Sequence, residues 1–350
     1  MQTITVNAST PYPVHIGPGL LERAGELIAG VTGSRTCALI TDTTVEKLYA
    51  AVVCRSLQEA GFRVCLHAFP AGEQSKNLGT FGGMLEFLAE NKLTRSDFVV
   101  ALGGGVTGDM AGFAAAVYQR GVDYIQMPTT FLAASDSSVG GKTAIDLAAG
   151  KNLAGAFHQP KMVICDTDTF RTLPPDAFAD GMAETLKHGL IADRDFYRFL
   201  MTGDVRGSMD EVVRRNVEIK AAVVGEDEKE RGKRKLLNFG HTLGHAIEKC
   251  SGYTVAHGRA VAVGMILASR AAERLGYSPA GTLEAVRAAC RRFDLPTECP
   301  YTASELYAAA TGDKKRDGGS IDVVVLKEVG RAETVRLDLE GLREFTEAAL

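Results

Sequence analysis

The segment F-V-V-A-L-G-G-G-V-T-G-D at residues 98–109 determines how the amino-terminal half of the chain folds. Its first five residues are apolar and typical of a buried strand, and four glycines follow within the next six positions. Glycine lets a backbone approach a pyrophosphate closely, and a helix that begins there offers free N–H groups and the positive end of its dipole. The segment therefore predicts a strand, a phosphate-binding turn and a helix in succession.

The same glycines satisfy the G-x-G-x-x-G pattern of dinucleotide-binding folds. The acidic residue that usually accompanies this pattern, at the end of a later strand, is not at its usual place. The acidic residue about 20 positions further on is Asp123, which precedes a predicted strand instead of ending one. Asp42 follows the predicted strand 36–41 and is better placed to hold an adenosine ribose. A glycine-rich turn that serves only packing is the alternative, and we favour a nucleotide site.

Short apolar runs recur on both sides of this segment. The runs that predict strands lie at 3–6, 12–16, 36–41, 63–69, 98–102, 124–127 and 162–165. Amphipathic segments at 45–60 and 78–91 predict helices between them. This alternation predicts a Rossmann-like α/β domain with a mainly parallel sheet and helices on both faces.

The pattern changes after two consecutive prolines, Pro174 and Pro175. From there to about residue 295, nearly every stretch has helical periodicity. The tail has the pattern of one hairpin, at 321–326 and 334–337. The predicted organisation is an α/β domain at 1–175 and an all-α domain at 176–350.

Composition narrows the class of protein. The chain has 350 residues, 45% hydrophobic and 23% charged, which is typical of a globular protein with two domains. Its net charge of −4 argues against a general nucleic-acid binder, although local basic clusters could hold a small anion. The seven cysteines are odd in number and form no C-x-x-C, as expected for reduced thiols in a cytoplasmic protein. Apolar runs are too short to span a membrane, so we expect no membrane association.

Three of the seven histidines fall within 241–257. His241 and His245 are four residues apart in a segment with helical apolar spacing, so both imidazoles would point from one face of a helix. His257 follows a Ser-Gly turn that could return the chain to the same place. This spacing suits a metal ion, although hydrogen-bonded core histidines would have the same pattern. A zinc peptidase is disfavoured because its general base would stand where Thr242 does.

A third metal ligand is available in M-A-E-T-L-K-H-G at 182–189. Glu184 and Lys187 lie three residues apart on one helical face, where a surface ion pair is the usual explanation. The neighbouring residues are apolar, however, and a charge without a partner is costly in a buried helix. We therefore take Glu184 as the candidate third ligand, which makes the all-α domain a metal-binding domain.

The segment D-S-S-V-G-G-K-T at 136–143 is close to a P-loop but has Asp136 where that motif requires glycine. A nucleotide triphosphatase is therefore disfavoured. Lys142, Lys151 and Asn152 still offer donors for a phosphate or carboxylate, although a solvated loop would have the same composition.

Short motifs run through the whole chain in one order. They are G-E-Q-S-K at 72–76, G-G-G-V-T-G-D at 103–109, P-T-T at 128–130, D-S-S-V-G-G-K-T at 136–143, G-K-N-L-A-G-A-F-H-Q-P at 150–160, M-A-E-x-x-K-x-G at 182–189, L-N-F-G-H-T-x-G-H-A-I-E at 237–248 and D-K-K at 313–315. A chain with these motifs resembles the 3-dehydroquinate synthase family, the shikimate-pathway branch of the sugar phosphate cyclases.

The resemblance implies an NAD-binding domain followed by a helical zinc domain, with cobalt as an alternative metal, in a cytoplasmic homodimer. It implies conversion of 3-deoxy-D-arabino-heptulosonate 7-phosphate into 3-dehydroquinate and phosphate. The implied steps are transient oxidation by NAD+, phosphate elimination, re-reduction and an intramolecular aldol closure.

The resemblance also assigns roles to individual residues, with Asp136 orienting Lys142 or the substrate. The implied metal ligands are Glu184, His241 and His257, beside His245 as a non-ligand. The implied catalytic residues are Lys142, Lys187, Arg234, Asn238, His245 and Asp136. The implied substrate-binding residues are Arg120, Asn152, Lys220 and one of Lys314 and Lys315. The implied NAD-binding residues are Asp42, Glu73, Lys76, Gly104, Gly105, Asp109, Thr129, Thr130, Lys142, Lys151, Thr169 and Thr172.

Three other functions are alternatives. A metal-dependent polyol dehydrogenase would share the fold, NAD and the metal, but would need no cluster of cations to grip a phosphate. A sister cyclase would share nearly everything, and ranks second because Asn238 and the D-K-K at 313–315 resemble the dehydroquinate branch. A non-catalytic NAD-sensing scaffold would tolerate loss of metal ligands or lysines, and this chain retains them.

Overall fold

A computed structural model describes residues 1–311 and 319–350. The chain forms two compact units. The first comprises Met1–Leu173 together with Lys220–Glu228, and the second comprises Pro174–Ile219 together with Lys229–Leu350. The division after Leu173 lies two residues before the predicted one at residue 175. Nothing in the sequence pattern indicated that Lys220–Glu228 joins the first unit.

The first unit contains nine strands, and those outside residues 142–157 follow the predicted apolar runs. The nine strands are β1 Gln2–Val6, β2 Tyr12–Gly17, β3 Thr36–Asp42, β4 Arg63–Phe69, β5 Phe98–Gly103, β6 Asp123–Pro128, β7 Lys142–Leu147, β8 Gly150–Phe157 and β9 Met162–Asp166. One sheet has the order β1-β2-β9-β6-β5-β3-β4, in which only β1 runs antiparallel to its neighbour. The predicted, mainly parallel sheet is confirmed.

Helices cover both faces of this sheet. They are α1 Ala24–Ala29, α2 Thr43–Val45, α3 Ala51–Glu59, α4 Leu78–Glu90 and α5 Gly105–Val117, with the π-helical turns Glu46–Ala50 and Ala133–Ser137 and the 3-10 turns Leu21–Arg23, Glu73–Ser75, Tyr118–Arg120 and Thr167–Thr172. Successive strand residues point to opposite faces, so Leu39 and Val100 pack with α1 and α3, while Ile40 and Val99 pack with α4 and α5. Both faces are therefore apolar cores, which explains the uninterrupted apolar runs.

The sequence analysis did not predict the hairpin formed by β7 and β8. Lys142 pairs with Phe157 at one end and Leu147 with Gly150 at the other. Several of its residues are exposed, including Leu153 at 54%. Small residues and exposed apolar ones obscure the alternation by which a half-buried strand is recognised.

Within its described residues, the second unit is helical apart from one hairpin. Its helices are α6 Pro175–Ala192, α7 Arg194–Thr202, α8 Met209–Glu226, whose last residues belong to the first unit, α9 His241–Cys250, α10 His257–Arg274, α11 Thr282–Arg292, α12 Ala303–Thr311 and α13 Leu339–Ala348, with 3-10 turns at Arg206–Ser208 and Lys233–Asn238. Its strands are β10 Ser320–Glu328 and β11 Arg331–Asp338. The predicted hairpin is present, and the domain is otherwise α-helical as predicted.

Helix α10 is the centre of this unit and packs against α6, α9, α11 and α13. Residues 260–269 are all buried, which explains an apolar pattern on every side of the helix. Among the described residues, no helix is long and apolar enough to cross a membrane.

Candidate active site

Several predicted nucleotide-binding residues lie where the parallel strands end, at one edge of the sheet. Asp42 ends β3, and Gly103 ends the neighbouring β5. From these two strands the sheet continues in opposite directions, to β4 beside β3 and to β6 beside β5. Open α/β sheets bind ligands in the crevice at such a switch point.

The turn after β5 is tightly packed. The Thr129 N–H donates to the Gly103 carbonyl at 3.0 Å, so the end of β6 lies beside the glycine turn. A Cβ on Gly104 would come within 3.0 Å of the Thr130 methyl group. Glycine therefore keeps the backbone accessible where α5 begins at Gly105, and the first N–H groups of that helix suit a phosphate.

A charged cluster stands on and beside α5. Lys76 is 4% exposed, and its Nζ donates to Asp109 Oδ2 at 2.6 Å and to Asn152 Oδ1 at 2.5 Å. Burial raises the pKa of Asp109, and the positive charge of Lys76 opposes that shift. Lys151 forms an ion pair with Glu73 at 3.3 Å. These five predicted residues are therefore brought together by the fold of the first unit.

Thr169 and Thr172 lie in the turn after β9 and contact a tyrosine that the sequence analysis did not select. The Tyr49 hydroxyl donates to the Thr169 carbonyl at 3.2 Å and lies 2.5 Å from the Thr172 hydroxyl. The Thr169 hydroxyl donates to the Asp166 carbonyl at 2.7 Å. No motif marks Tyr49, because its partners are more than a hundred residues away in sequence.

Lys220 belongs to the first unit although it comes late in the chain. Its Nζ lies 2.7 Å from Asp136 Oδ1 and donates to the Asp136 carbonyl at 2.6 Å. The resemblance implies that Asp136 orients Lys142 or the substrate, and in the structure Asp136 pairs with Lys220. Lys142 begins β7, whereas Asn152 lies near the far end of the hairpin, about 16 Å of strand away.

Arg120 lies at the opposite end of the parallel strands, where their amino termini are. It follows α5 and precedes β6, so it stands near the amino ends of the parallel strands. Strand β6 separates it from Thr129 by about 20 Å at the usual rise per residue. Its side chain is exposed, and its φ of 69° is left-handed. The fold of the first unit therefore does not bring Arg120 to the edge where Thr129 lies.

The second unit contains a completely buried carboxylate. Glu184 on α6 is 0% exposed, and Lys187, one turn later, is 2% exposed. Lys187 Nζ pairs with Oε2 of Glu184. The other oxygen, Oε1, lies 3.5 Å from Nε2 of His241 and 3.4 Å from Nε2 of His257. The alternative of a surface ion pair is therefore wrong, and the predicted buried helix is correct.

Two helices begin beside this carboxylate. His241 is the first residue of α9 and His257 the first of α10, so the positive ends of both helix dipoles favour a negative charge there. The two helices approach closely because small residues separate them. A Cβ on Gly264 would come within 2.0 Å of the Gly240 carbonyl oxygen. These glycines set the spacing at which the two imidazoles meet.

Hydrogen bonds orient both imidazoles. His241 Nδ1 lies 3.1 Å from the Phe239 carbonyl, so a proton there leaves the Nε2 lone pair toward Glu184. His257 Nδ1 lies 3.5 Å from Glu248 Oε2, and its Nε2 faces Glu184. Burial lowers the pKa of His241 to about 3. Burial also acts to lower the pKa of His257, but hydrogen bonds and charge from Glu184 and Glu248 raise it to about 10.

Glu184, His241 and His257 fit a metal ion by chemistry and by spacing. Their ligand atoms lie within 4.8 Å of one another. A tetrahedral zinc ion with bonds of about 2.0–2.2 Å separates its ligand atoms by about 3.4 Å. The two nitrogen-to-oxygen distances, 3.5 and 3.4 Å, match that separation. Two imidazoles and one carboxylate are also a donor set of catalytic zinc sites, which keep a fourth position open.

Comparison with known families covers most of the chain. The profile described as 3-dehydroquinate synthase N-terminal matches residues 66–180, and the one described as 3-dehydroquinate synthase C-terminal matches residues 181–316. The chain belongs to the 3-dehydroquinate synthase family. A 3-dehydroquinate synthase of Streptococcus suis is 43% identical over 98% of this chain and 99% of its own. One of Caulobacter vibrioides is 45% identical over 95% of each chain.

Solved structures of two sister cyclases share the fold. A 2-deoxy-scyllo-inosose synthase, complexed with carbaglucose-6-phosphate, NAD+ and Co2+, has a TM-score of 0.89 at 27% identity over 99% of both chains. The 2-epi-5-epi-valiolone synthase of Streptomyces hygroscopicus, with NAD+ and Zn2+ bound, has a TM-score of 0.86 at 27% identity over 96% of this chain and 95% of its own. Because the 3-dehydroquinate synthases are markedly more similar, the sister-cyclase alternative is not favoured. The chain is an enzyme of the 3-dehydroquinate synthase type, a lyase of the shikimate pathway.

The family motif L-N-F-G-H-T-x-G-H-A-I-E also contains His245, whose position differs from those of the other two histidines. Its side chain is 60% exposed, and its ring centroid lies 5.3 Å from that of His241 and 5.9 Å from that of His257. His245, Glu248 and His257 form a second, overlapping set of candidate ligands. Helical spacing favoured His245 as a ligand, and the structure places the fully buried Glu184 in the other set.

The remaining predicted residues of this unit precede α9. Arg234 and Asn238 lie on the 3-10 turn Lys233–Asn238, where Arg234 is 2% exposed. Asn238 Nδ2 donates to Glu230 Oε1 at 2.6 Å. The last two predicted residues, Lys314 and Lys315, lie outside the described residues.

The sequence analysis missed two acidic residues beside the candidate metal ligands. Glu248 holds His257, as described above, and could have been selected because it lies one helical turn after His245. Asp180 accepts hydrogen bonds at Oδ1 from the N–H groups of Gly258 and Arg259, at 2.5 and 3.3 Å, and so fixes the first turn of α10. Its signal is weaker: it lies four residues before Glu184, on the same face of α6.

Proposed function

We propose that this chain converts 3-deoxy-D-arabino-heptulosonate 7-phosphate into 3-dehydroquinate and phosphate, with NAD bound by the first unit and zinc held by Glu184, His241 and His257. The observation that carries the proposal is the convergence of two imidazole nitrogens on one oxygen of a buried glutamate, at 3.5 and 3.4 Å. Zinc and cobalt are both compatible with these donors. When bound, the metal would polarise a substrate hydroxyl so that NAD+ can accept a hydride.

Lys187 has two tasks in this proposal. Its ammonium group pairs with Glu184 Oε2, which leaves Oε1 directed at the two imidazoles. It would also supply a buried positive charge beside the proposed metal site. A charge held in a site that excludes water stabilises negative charge far better than one in solution.

The NAD site is proposed at the carboxyl edge of the sheet. Asp42 Oδ1 accepts hydrogen bonds from Thr44 N–H at 2.8 Å and Val45 N–H at 3.0 Å, so its carboxylate is held in place where a ribose would bind. The glycine turn and the first turn of α5 supply N–H groups for the pyrophosphate. The sister cyclases with NAD+ bound share this fold, which supports the assignment. The other proposed NAD contacts are Glu73, Lys76, Asp109, Thr129, Thr130, Lys142, Lys151, Thr169 and Thr172.

Substrate recognition requires cations for a phosphate and a carboxylate. Lys220 is 5% exposed and held by Asp136, so it offers a fixed positive charge. Arg234 is buried, and a guanidinium is suited to bind either anion with two hydrogen bonds. We assign the remaining contacts to Lys142, Asn152, Asn238, His245 and one of Lys314 and Lys315.

The position of Arg120 supports a homodimer. It lies about 20 Å from the carboxyl edge of its own sheet, too far for its side chain to join the proposed site of the first unit. A second copy of the chain would bring an Arg120 to the site from outside. All seven cysteines are free thiols, which supports a location in the reducing cytoplasm.

The test measures phosphate release from 3-deoxy-D-arabino-heptulosonate 7-phosphate by the zinc-loaded protein with catalytic NAD+, while NADH absorbance and the carbocyclic product are followed together. Phosphate and 3-dehydroquinate should appear in equal amounts without net NADH. Turnover of glucose 6-phosphate or sedoheptulose 7-phosphate instead would assign the chain to a sister activity. Accumulating NADH with glycerol would indicate a polyol dehydrogenase.

A further inference from the structure

Tyr49 connects two elements of the first unit that are not neighbours in the sheet. It lies in the helical segment after β3, whereas its partners Thr169 and Thr172 lie in the 3-10 turn after β9. The sheet places β5 and β6 between those two strands. Three strand spacings of about 4.8 Å separate β3 from β9 by roughly 14 Å. The contact of Tyr49 therefore bridges across β5 and β6, the strands that precede the glycine turn and Thr129.

A π-helical turn sets the direction of the Tyr49 side chain. This turn, Glu46–Ala50, separates α2 from α3. Buried positions of an α-helix recur every three or four residues. Across the π-helical turn, the successive buried residues Val45 and Ala50 are five positions apart. The extra residue leaves Tyr49 packed against the core of this face with its hydroxyl at the turn after β9. Such turns are rare inside helices and are frequent at functional sites.

Three oxygen atoms meet at this contact. The Tyr49 hydroxyl lies 3.2 Å from the Thr169 carbonyl oxygen and 2.5 Å from the Thr172 hydroxyl, which in turn lies 3.0 Å from the same carbonyl. Each hydroxyl has one proton, and a carbonyl oxygen can accept both. Both protons thus have acceptors within this group of three. The exposed Thr172 therefore offers a lone pair to a ligand, which suits a ligand with N–H or O–H donors.

We propose that Tyr49 is a positioning residue of the NAD site, and that it holds Thr172 so that this residue accepts a hydrogen bond from the adenosine half of the cofactor. The inference rests on the proposed function, which places NAD at the carboxyl edge of this sheet. The adenosine half is favoured because Asp42, assigned to the ribose, caps the helical segment that contains Tyr49. Adenine and ribose carry the amino and hydroxyl donors that a lone pair requires.

The experiment measures the dissociation constants of NAD+ and ADP-ribose for the full-length, zinc-loaded protein by isothermal titration. Tyr49→Phe keeps the ring and removes the hydroxyl. It should weaken both ligands by roughly fivefold, as expected for loss of one neutral hydrogen bond. The matched control is Tyr118→Phe, since the Tyr118 hydroxyl donates to the Leu93 carbonyl at 2.9 Å near the amino ends of the strands. The control should bind both ligands like the unmodified chain.

A double-variant cycle separates positioning from independent effects on binding. Thr172→Val removes the hydroxyl that Tyr49 is proposed to hold, at an exposed position that tolerates the change. If Tyr49 acts through Thr172, the variant with both changes should lose less NAD+ affinity than the product of the two separate losses. Separate losses that multiply fully would overturn the positioning role.

Three further outcomes decide the proposal. Unchanged NAD+ affinity in Tyr49→Phe would overturn it, and so would an equal loss in Tyr118→Phe, which would indicate only a general loss of stability. A loss for NAD+ without a loss for ADP-ribose would overturn the assignment to the adenosine half. Absence of NAD+ binding by the unmodified chain would contradict the proposed function itself, and is therefore distinguishable from failure of the role of Tyr49.

Discussion

Lys76 and Asp109 in the first unit form a partly buried ion pair, and Lys76 also donates a hydrogen bond to Asn152. In the second unit, one oxygen of Glu184 pairs with Lys187, and the other faces the imidazoles of His241 and His257. The first cluster has one positive and one negative charge. The second cluster contains Glu184 and Lys187. It also has a position, between Glu184 and the two imidazoles, that a second positive charge can occupy.

The pKa values of the two histidines indicate which of them carries the positive charge beside Glu184 when no metal is bound. Burial keeps His241 neutral, since its pKa is lowered to about 3, whereas His257 is protonated, since its pKa is raised to about 10. A proton on His257 therefore stands where a cation would bind. An ion pair such as Lys76–Asp109 stabilises the fold. A carboxylate such as Glu184, whose second positive partner is an exchangeable proton, can also bind a metal ion.

The largest expected effect comes from removing His257, the proposed metal ligand that carries this proton. His257→Ala should lose its zinc and its turnover, by more than the roughly 10–100-fold that removal of an outer-shell partner costs. Metal content after dialysis is the measurement. His245→Ala is the matched control and should retain its zinc. Full metal content in His257→Ala would transfer the ligand role to His245.

The next effect compares the two buried lysines. Lys187→Met should destabilise the metal-free protein by about 3 kcal/mol, the lower end for breaking a buried pair, because the protonated His257 still partly compensates Glu184. Zinc should recover most of this loss. Lys76→Met should also destabilise the protein, but zinc should not alter that cost, because Asp109 is not part of the metal centre. The measurement is chemical unfolding with and without zinc. Equal responses to zinc in the two variants would contradict the comparison.

A smaller effect concerns pH. The pKa of His257 is raised in the folded protein, so its proton stabilises the metal-free chain fully below the unfolded value near 6.5, and that stabilisation is lost as pH rises through about 10. Zinc must displace this proton. Apparent zinc affinity should therefore rise by about tenfold per pH unit between pH 7 and 9. Proton release on zinc addition in a weak buffer measures the same exchange, and an absence of release would show that His257 is already neutral.

The smallest effect comes from the cap of α10. Asp180→Ala should cost about 1 kcal/mol of stability, as loss of a helix cap does, and should weaken zinc binding because His257 begins that helix. Asp176→Ala is the control on the same helix, since Asp176 is exposed and pairs with the Arg259 side chain at 3.3 Å. Similar zinc affinities in the two variants would restrict Asp180 to a structural role.

Local patterns were sufficient for most of the fold. Apolar runs identified each strand of the large sheet to within one residue. The signal was strongest in the central strands, since strands buried on both faces need uninterrupted apolar sequence. The hairpin of β7 and β8 was missed because it is largely exposed and rich in small residues, so burial leaves no periodic pattern there.

The same distinction applies to the candidate-site residues: local pattern identified some of them and missed others. Glu184 was found because a charge among apolar helical residues indicates a buried partner. Spacing within one helix made His245 as strong a candidate as His257, since periodicity reports which face a residue occupies and not what lies opposite. Glu248 and Tyr49 were missed because their roles depend on residues from other elements.

The amino-acid sequence alone specifies the alternation of strands and helices, the glycine turn after β5 and the residue types that can hold NAD and a metal. Each of these depends on neighbours within a few positions, where backbone geometry and side-chain periodicity apply. Tertiary packing decides which imidazoles meet Glu184, that Lys220 joins Asp136, and that Arg120 lies at the far edge of its own sheet. These outcomes depend on how closely helices approach and how strands are ordered, and such distances are set by contacts between residues far apart in the chain.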